Sequence, residues 1–174
     1  MTRKTSDFPQ RNTRLPPQEP RLWNWAQNAP LADKKQILQP ESERHLCELV
    51  VAASGKLRVM GSRMSPGRML ALGNTDDRLI DTSRLRGLIS HDADSATFGG
   101  GTPLHEVYEL LTAMGRMRTA SPVVIDSQTL SGALATGTHG QGLYQSSIGD
   151  EALRIRMVLA DGSSSATPES FRAT

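Results

Sequence analysis

The stretch that decides the fold is Gln128-Thr129-Leu130-Ser131-Gly132-Ala133-Leu134-Ala135-Thr136-Gly137-Thr138-His139-Gly140. It opens at Asp126-Ser127, runs on through Gln141-Gly142, and is dense in Gly, Ala, Ser and Thr over a span too long for a turn. Small residues in this number let a backbone lie close against something flat or phosphorylated, because no bulky side chain holds it off. Thr129, Thr136 and Thr138 offer hydroxyls, and the main chain offers amides. A small-residue helix packed closely on a sheet accounts for the same composition, and the residues alone leave both readings open.

About seventy residues upstream lies a second such place, Arg58-Val59-Met60-Gly61-Ser62-Arg63-Met64-Ser65-Pro66-Gly67. It reads as a strand running into a loop of small residues. Loops of this kind bring backbone N–H groups close to an anion. Ser62 and Ser65 add hydroxyls, and Arg63 adds a positive charge or faces solvent. An ordinary strand-to-loop turn is the plainer reading.

Between and around these stretches the pattern is mixed. Ser42 suits a helix N-cap, Leu46, Leu49, Val50 and Ala53 form one apolar stripe, and Gly55 suits the helix end. Leu57–Met60, Leu79–Asp81 and Ala96–Phe98 read as short strands. Thr102 and Pro103 fit the cap and first position of a helix whose face is Leu104, Val107, Tyr108 and Leu111, with Gly115 as its stop. Leu153, Ile155, Met157 and Leu159 alternate as in a strand, Asp161-Gly162 suits a hairpin turn, and Ser163–Ala166 suits the return strand. Trp23-Asn24-Trp25 places two rings at the entry to the fold. Regular βαβ alternation is weak, so the expectation is α+β.

The 174 residues suffice for one domain, with 37% hydrophobic and 4% aromatic side chains. A formal charge of +2 is too small to point to nucleic acid. The basic excess sits in Arg3, Lys4, Arg11, Arg14 and Arg21, set against Asp7 and Glu19, in a Pro-rich leader with few apolar residues. Residues 1–22 are therefore expected to be a disordered arm and 23–174 the folded domain. Cys47 is the single cysteine, which excludes an intrachain disulfide and fits a reducing, cytoplasmic setting. No apolar run is long enough to span a bilayer. Neither G-x-G-x-x-G nor a P-loop occurs, and His45, His91, His105 and His139 do not fall at metal-ligand spacing with one another or with Cys47. No nucleophile–base pair is legible. For His139, a structural hydrogen bond and a chemical role weigh equally.

Taken together, the two stretches resemble the FAD-binding domain of the vanillyl-alcohol oxidase and p-cresol methylhydroxylase (PCMH) superfamily, in the branch of the gulonolactone, arabinonolactone and alditol oxidases. Asn24-Trp25-Ala26 is similar to that family's opening Asn-Trp. Gln39-Pro40 with Ser42 and Glu43 resembles the start of its first helix. Val59 to Ser65 falls on its V-x-G-S-G-H-S loop, Gly99-Gly100-Gly101-Thr102 on its glycine turn, and Gln128–Gly140 on its Q-T-[IL]-A-G-x-[IV]-A-T-G-T-H-G segment. The likeness covers residues 23–174.

The resemblance implies a PCMH-type domain of two small α/β subdomains, with the C-terminal part incomplete. It implies that FAD is bound by Val59, Met60, Gly61, Ser62, Arg63, Met64, Ser65, Thr129, Gly132, Ala133, Leu134, Ala135, Thr136, Gly137, Thr138 and His139. Many relatives carry, in the first loop, a histidine bonded covalently to the flavin. Met64 stands there, and Arg63 stands at the preceding glycine. Non-covalent FAD is the implied consequence, with a lowered flavin potential. The family's substrate domain is not in this sequence, so no catalytic side chain is assigned. Polyol or sugar-lactone oxidation is expected only with such a domain supplied. An inactive remnant, or a partner-binding module without turnover, is the alternative expectation.

Overall fold

The computed structural model describes residues 21–116, 125–141 and 147–167. Strands β1 (Arg21–Trp23) and β2 (Pro30–Asp33) pair antiparallel, with an irregularity between Leu22 and Trp23. Arg21 and Leu22 thus belong to the fold, two residues earlier than composition suggested. The entry is anchored by Asn24, not by paired rings. Asn24 is buried, its side-chain oxygen accepts the amides of Asn28 and Ala29, and its Nδ2 donates to the Gly67 carbonyl at 3.1 Å. The Trp25 ring is 61% exposed.

A three-stranded parallel sheet follows. Strand β3 (Ile37–Leu38) leads to helix α1 (Glu43–Ala52), then come β4 (Leu57–Met60) and β5 (Arg78–Asp81), in the order β3-β5-β4. The expected cap is present, since the Ser42 hydroxyl oxygen accepts the His45 amide at 3.1 Å. Gly55 does not end α1, because Ala53 does, at φ −75°. Gly55 instead lies against the chain before β5, where a Cβ would stand 2.3 Å from the Asp76 carbonyl oxygen.

Strands β6 (Leu88–His91) and β7 (Ala96–Phe98) form an antiparallel pair leading to helix α2 (Leu104–Ala113). Pro103, not Thr102, is the cap residue of α2. Gly115 ends the helix as expected. At φ +71° it lets its own amide reach the Thr112 carbonyl and the Arg116 amide reach the Leu111 carbonyl, both at 2.9 Å. Short helix α3 (Leu130–Ala135) comes next, then a 3-10 turn at Ile148–Glu151, and the antiparallel pair β8 (Arg156–Val158) and β9 (Ser164–Ala166).

The alternation over 153–159 yields only this three-residue strand. Its apolar residues Leu153, Met157 and Leu159 are exposed. The connection is also longer than the two-residue turn expected, running from Leu159 to Ser163, whose carbonyl accepts the Leu159 amide.

Two apolar clusters hold the described fold. One joins Ala32, Met60 and Leu79 beneath the parallel sheet, and the other joins Leu104, Ala133 and Ile148 between α2 and α3. The mixture of a small parallel sheet with antiparallel pairs is α+β, as expected.

Candidate cofactor site

The site begins where β4 ends. Met60 turns its side chain into the core, and its carbonyl accepts the buried Thr82 hydroxyl at 3.1 Å. That bond ties the end of β4 to the turn after β5. The next residue, Gly61, lies against the second small-residue stretch. A Cβ there would stand 2.2 Å from Thr129 Oγ1 and 3.0 Å from its Cγ2. Only glycine permits this approach.

Thr129 itself caps α3, its hydroxyl oxygen accepting the Gly132 amide at 3.3 Å. The glycine turn holds α3 in place. The Leu130 amide donates to the Thr102 carbonyl at 2.8 Å and the Ser131 amide to the Gly100 carbonyl at 2.9 Å. Gly101 is pressed so close to Thr82 that a Cβ would stand 1.9 Å from its carbonyl oxygen. Sequence reasoning did not assign Thr82 or Thr102 to the site. Both are supports behind it, and the glycine turn was the signal that pointed to one of them.

Beyond Gly61 the loop offers donors. Among the described residues, the amides of Ser62, Arg63, Met64 and Ser65 donate to no acceptor. Arg63 adopts φ +61°, a left-handed conformation that costs a non-glycine residue about 1–2 kcal/mol. A left-handed residue within a run of amides that have no acceptor is a feature of anion-binding concavities. A cleft of about 520 Å³ opens here, at the carboxyl ends of the three parallel strands. Ile37 of β3 and Gln39 just after it, Met60 of β4 and the Gly61–Arg63 loop that follows, and Asp81 of β5 with Ser83 in the next turn line it, with Leu22 and Lys34 at the side. Ligands of open parallel sheets bind at such strand ends, and the volume falls in the usual range for cofactor sites. Two cations, Lys34 and Arg63, face one acid. Both oxygens of Asp81 are engaged, one by the Ser83 amide and the other by Gln39 Nε2 at 2.8 Å.

The sixteen sequence-assigned residues divide by place. Met60, Gly61, Ser62 and Arg63 line the cleft, and Met64 and Ser65 continue the same loop. Val59 points away, 59% exposed on β4. Ala133 is fully buried and Leu134 packs beside it, so both side chains serve the second core. The Gly132 carbonyl accepts the Thr136 hydroxyl at 2.9 Å, and the Thr138 hydroxyl donates to Gln128 Oε1 at 3.2 Å. Gly137, at φ +61°, ends α3. Ala135, Thr136, Gly137 and His139 are exposed, and His139 Nδ1 lies 2.9 Å from its neighbour's carbonyl oxygen at Gly140. Thr136 lies about 9 Å along α3 from Leu130 at the helical rise. The stretch is thus a small-residue helix that meets the first loop at Thr129, and none of its described residues lines the cleft. Gly142 lies outside the described residues.

Residues 35–166 match the family model described as an FAD binding domain. The chain belongs to this FAD-binding domain family. Among curated relatives it is 29% identical over 164 residues to a D-arabinono-1,4-lactone oxidase of Eremothecium gossypii, covering 86% of this chain and 30% of that protein. It is 28% identical over 131 residues to an L-gulono-1,4-lactone dehydrogenase of Mycobacterium tuberculosis, covering 72% of this chain and 30% of that one. This FAD-binding domain therefore spans about a third of the length of the relatives it matches. Its fold is that of a cholesterol oxidase from Brevibacterium sterolicum (TM-score 0.73, 18% identity, 86% of this chain and 32% of the other). It is likewise that of an alkyldihydroxyacetonephosphate synthase (TM-score 0.66, 21% identity, 77% of this chain and 26% of the other). The PCMH-type assignment made from the sequence stands.

The residues present fit FAD. Gly61 lets the loop after β4 lie against Thr129, and amides that donate to no acceptor among the described residues, with two cations beside them, suit a diphosphate.

Proposed function

We propose that this chain is the FAD-binding module of a flavin-dependent oxidoreductase acting on CH–OH groups of sugar lactones or polyols. The observation that carries the reading is the contact of Gly61 with Thr129 beside a cleft at the strand ends. The substrate class rests on the named relatives, a lactone oxidase and a lactone dehydrogenase.

In this reading the amides of Ser62 to Ser65 hold the diphosphate, with Gly61 letting their loop pack against Thr129. Gly132, Thr136, Gly137, Thr138 and His139 border the rest of the cofactor, while Thr129, Ala133 and Leu134 hold α3 in place. Bound flavin supplies the redox chemistry, accepting two electrons from the substrate carbon. This chain's residues bind and orient it, and the groups that take the substrate proton come from a substrate domain. FAD is held non-covalently, because the Met64 thioether cannot form the link that a histidine makes. Of the arm expected over residues 1–22, 1–20 lie outside the described residues, while Arg21 and Leu22 belong to β1. The single cysteine, Cys47, supports a cytoplasmic setting. No helix among the described residues is long and apolar enough to cross a membrane.

The test is reconstitution of the purified chain with FAD and gel filtration. Retained flavin absorbance that acid precipitation then releases into the supernatant supports non-covalent binding. Protein that stays colourless overturns the reading. Turnover of arabinono- or gulonolactone should require an added substrate domain, and turnover by the chain alone would overturn the module assignment. A second reading, a partner-binding module without turnover, is favoured by the exposed Leu153, Met157 and Leu159 around β8. Retained FAD with no partner-dependent activity would support it.

A further inference from the structure

We infer that Arg63 is an electrostatic anchor for the diphosphate of the bound dinucleotide, held in a strained backbone that trades stability for affinity. This rests on the FAD reading and adds a side-chain role within it. The position is unusual on three counts. Its backbone is left-handed at φ +61°, where a residue with a Cβ is penalised. Its side chain lines the cleft at the strand ends. Its amide lies within the run from Ser62 to Ser65 that donates to no acceptor among the described residues.

A glycine would form the same loop without strain, so the arginine contributes through its guanidinium. That group is exposed and has no carboxylate partner among the described residues. One long contact, 3.4 Å from Nη1 to the Trp23 carbonyl, carries it toward the β1 side of the cleft. The acid in the same cleft, Asp81, is already bonded to Gln39 and Ser83, and Lys34 adds positive charge. A guanidinium fork matches a phosphate's paired oxygens. Its contribution should weaken with salt.

The experiment compares the full chain with Arg63→Gly, Arg63→Ala and Arg63→Lys, titrating FAD, ADP and riboflavin at several salt concentrations and melting each protein without ligand. Arg63→Gly should melt higher than the parent, yet bind FAD and ADP about tenfold more weakly, the equivalent of about 1.4 kcal/mol. Its salt dependence should be flatter. Arg63→Ala should lose affinity without gaining stability, Arg63→Lys should fall between, and riboflavin, which lacks a diphosphate, should not distinguish the four. If Arg63→Gly binds ADP and FAD as tightly as the parent at every salt concentration, the anchor role is wrong while FAD binding stands. If the parent takes up neither ADP nor FAD, the FAD reading fails and the anchor with it.

Discussion

Gly61 and Thr129, far apart in the sequence, meet so closely that a Cβ on Gly61 would stand 2.2 Å from the Thr129 hydroxyl oxygen. This contact joins the loop after β4 to the cap of α3, and so joins the two small-residue stretches. Neither side can give way cheaply. Gly61 follows a buried strand residue, and Thr129 is itself buried and bonded to the Gly132 amide.

Replacing Gly61 by alanine should therefore cost about 1–3 kcal/mol, the usual penalty of overpacking, and should weaken FAD uptake. Thr129→Ala alone should cost about 0.5–2 kcal/mol through the lost helix cap. The double variant should lose less than the two losses combined, because removing the Thr129 side chain relieves the clash. Urea midpoints of the four proteins check this.

Thr102 should matter through its hydroxyl more than its methyl. It is fully buried, accepts the Gly87 amide at 2.8 Å and donates to the Gly99 carbonyl at 2.6 Å. In Thr102→Val the Gly99 carbonyl keeps the Thr102 amide, but the Gly87 amide loses its acceptor. A loss of about 1–3 kcal/mol is expected. Thr102→Ser keeps the bonds and should lose clearly less in the same denaturation series.

Asp77 sets part of the acid sensitivity. Its carboxylate accepts the Lys56 amide at 2.9 Å and those of Asn74 and Gly73 at 3.0 and 3.1 Å. These bonds, with that from Lys56 the largest, hold its pKa below the ordinary carboxylate value. A lowered folded pKa means the stabilisation is complete above the unfolded value and is lost as pH falls through the folded one. Stability should thus decline below about pH 4. Asp77→Asn should be less stable near neutrality and should show a shallower decline in acid, measured by urea midpoints across the pH range.

The β8–β9 hairpin is fastened to α1 at two points of unequal weight. Arg156 donates to Glu43 Oε1 at 2.7 and 3.0 Å, but both side chains are substantially exposed. Exposed pairs contribute about 0–1 kcal/mol. Gly162, at φ +78°, lies where a Cβ would stand 2.2 Å from Val51 Cγ2. Gly162→Ala should therefore destabilise more than Arg156→Ala, and hydrogen exchange in 156–166 should report the difference.

Local signals in the sequence were legible because their causes are local. Ser42 as a cap, Leu57–Met60 and Leu79–Asp81 as strands, and Gly115 as a helix stop all depend on a few neighbouring residues. Thr102 misled by one residue because its hydroxyl bonds Gly87 and Gly99, at the open end of the β6–β7 pair, instead of the helix start. Gly55 misled because its smallness serves the approach of Asp76 and not the end of α1. The alternation over 153–159 overstated β8, since a period of two says nothing about which strand will pair beside it. The order β3-β5-β4 and the approach of Gly61 to Thr129 are long-range facts that no window of sequence contains. The long motif at Gln128–Gly140 made the family readable, but not which of its residues pack as support, as Ala133 and Leu134 do.

The most direct test of the central claim is a titration of FAD into the whole chain, followed by flavin fluorescence, with a folded Gly61→Val variant alongside. The account predicts saturable, one-to-one binding by the parent, strong loss in the variant, and full release of flavin on denaturation. Absence of binding by the parent, or equal binding by a folded Gly61→Val protein, would contradict it.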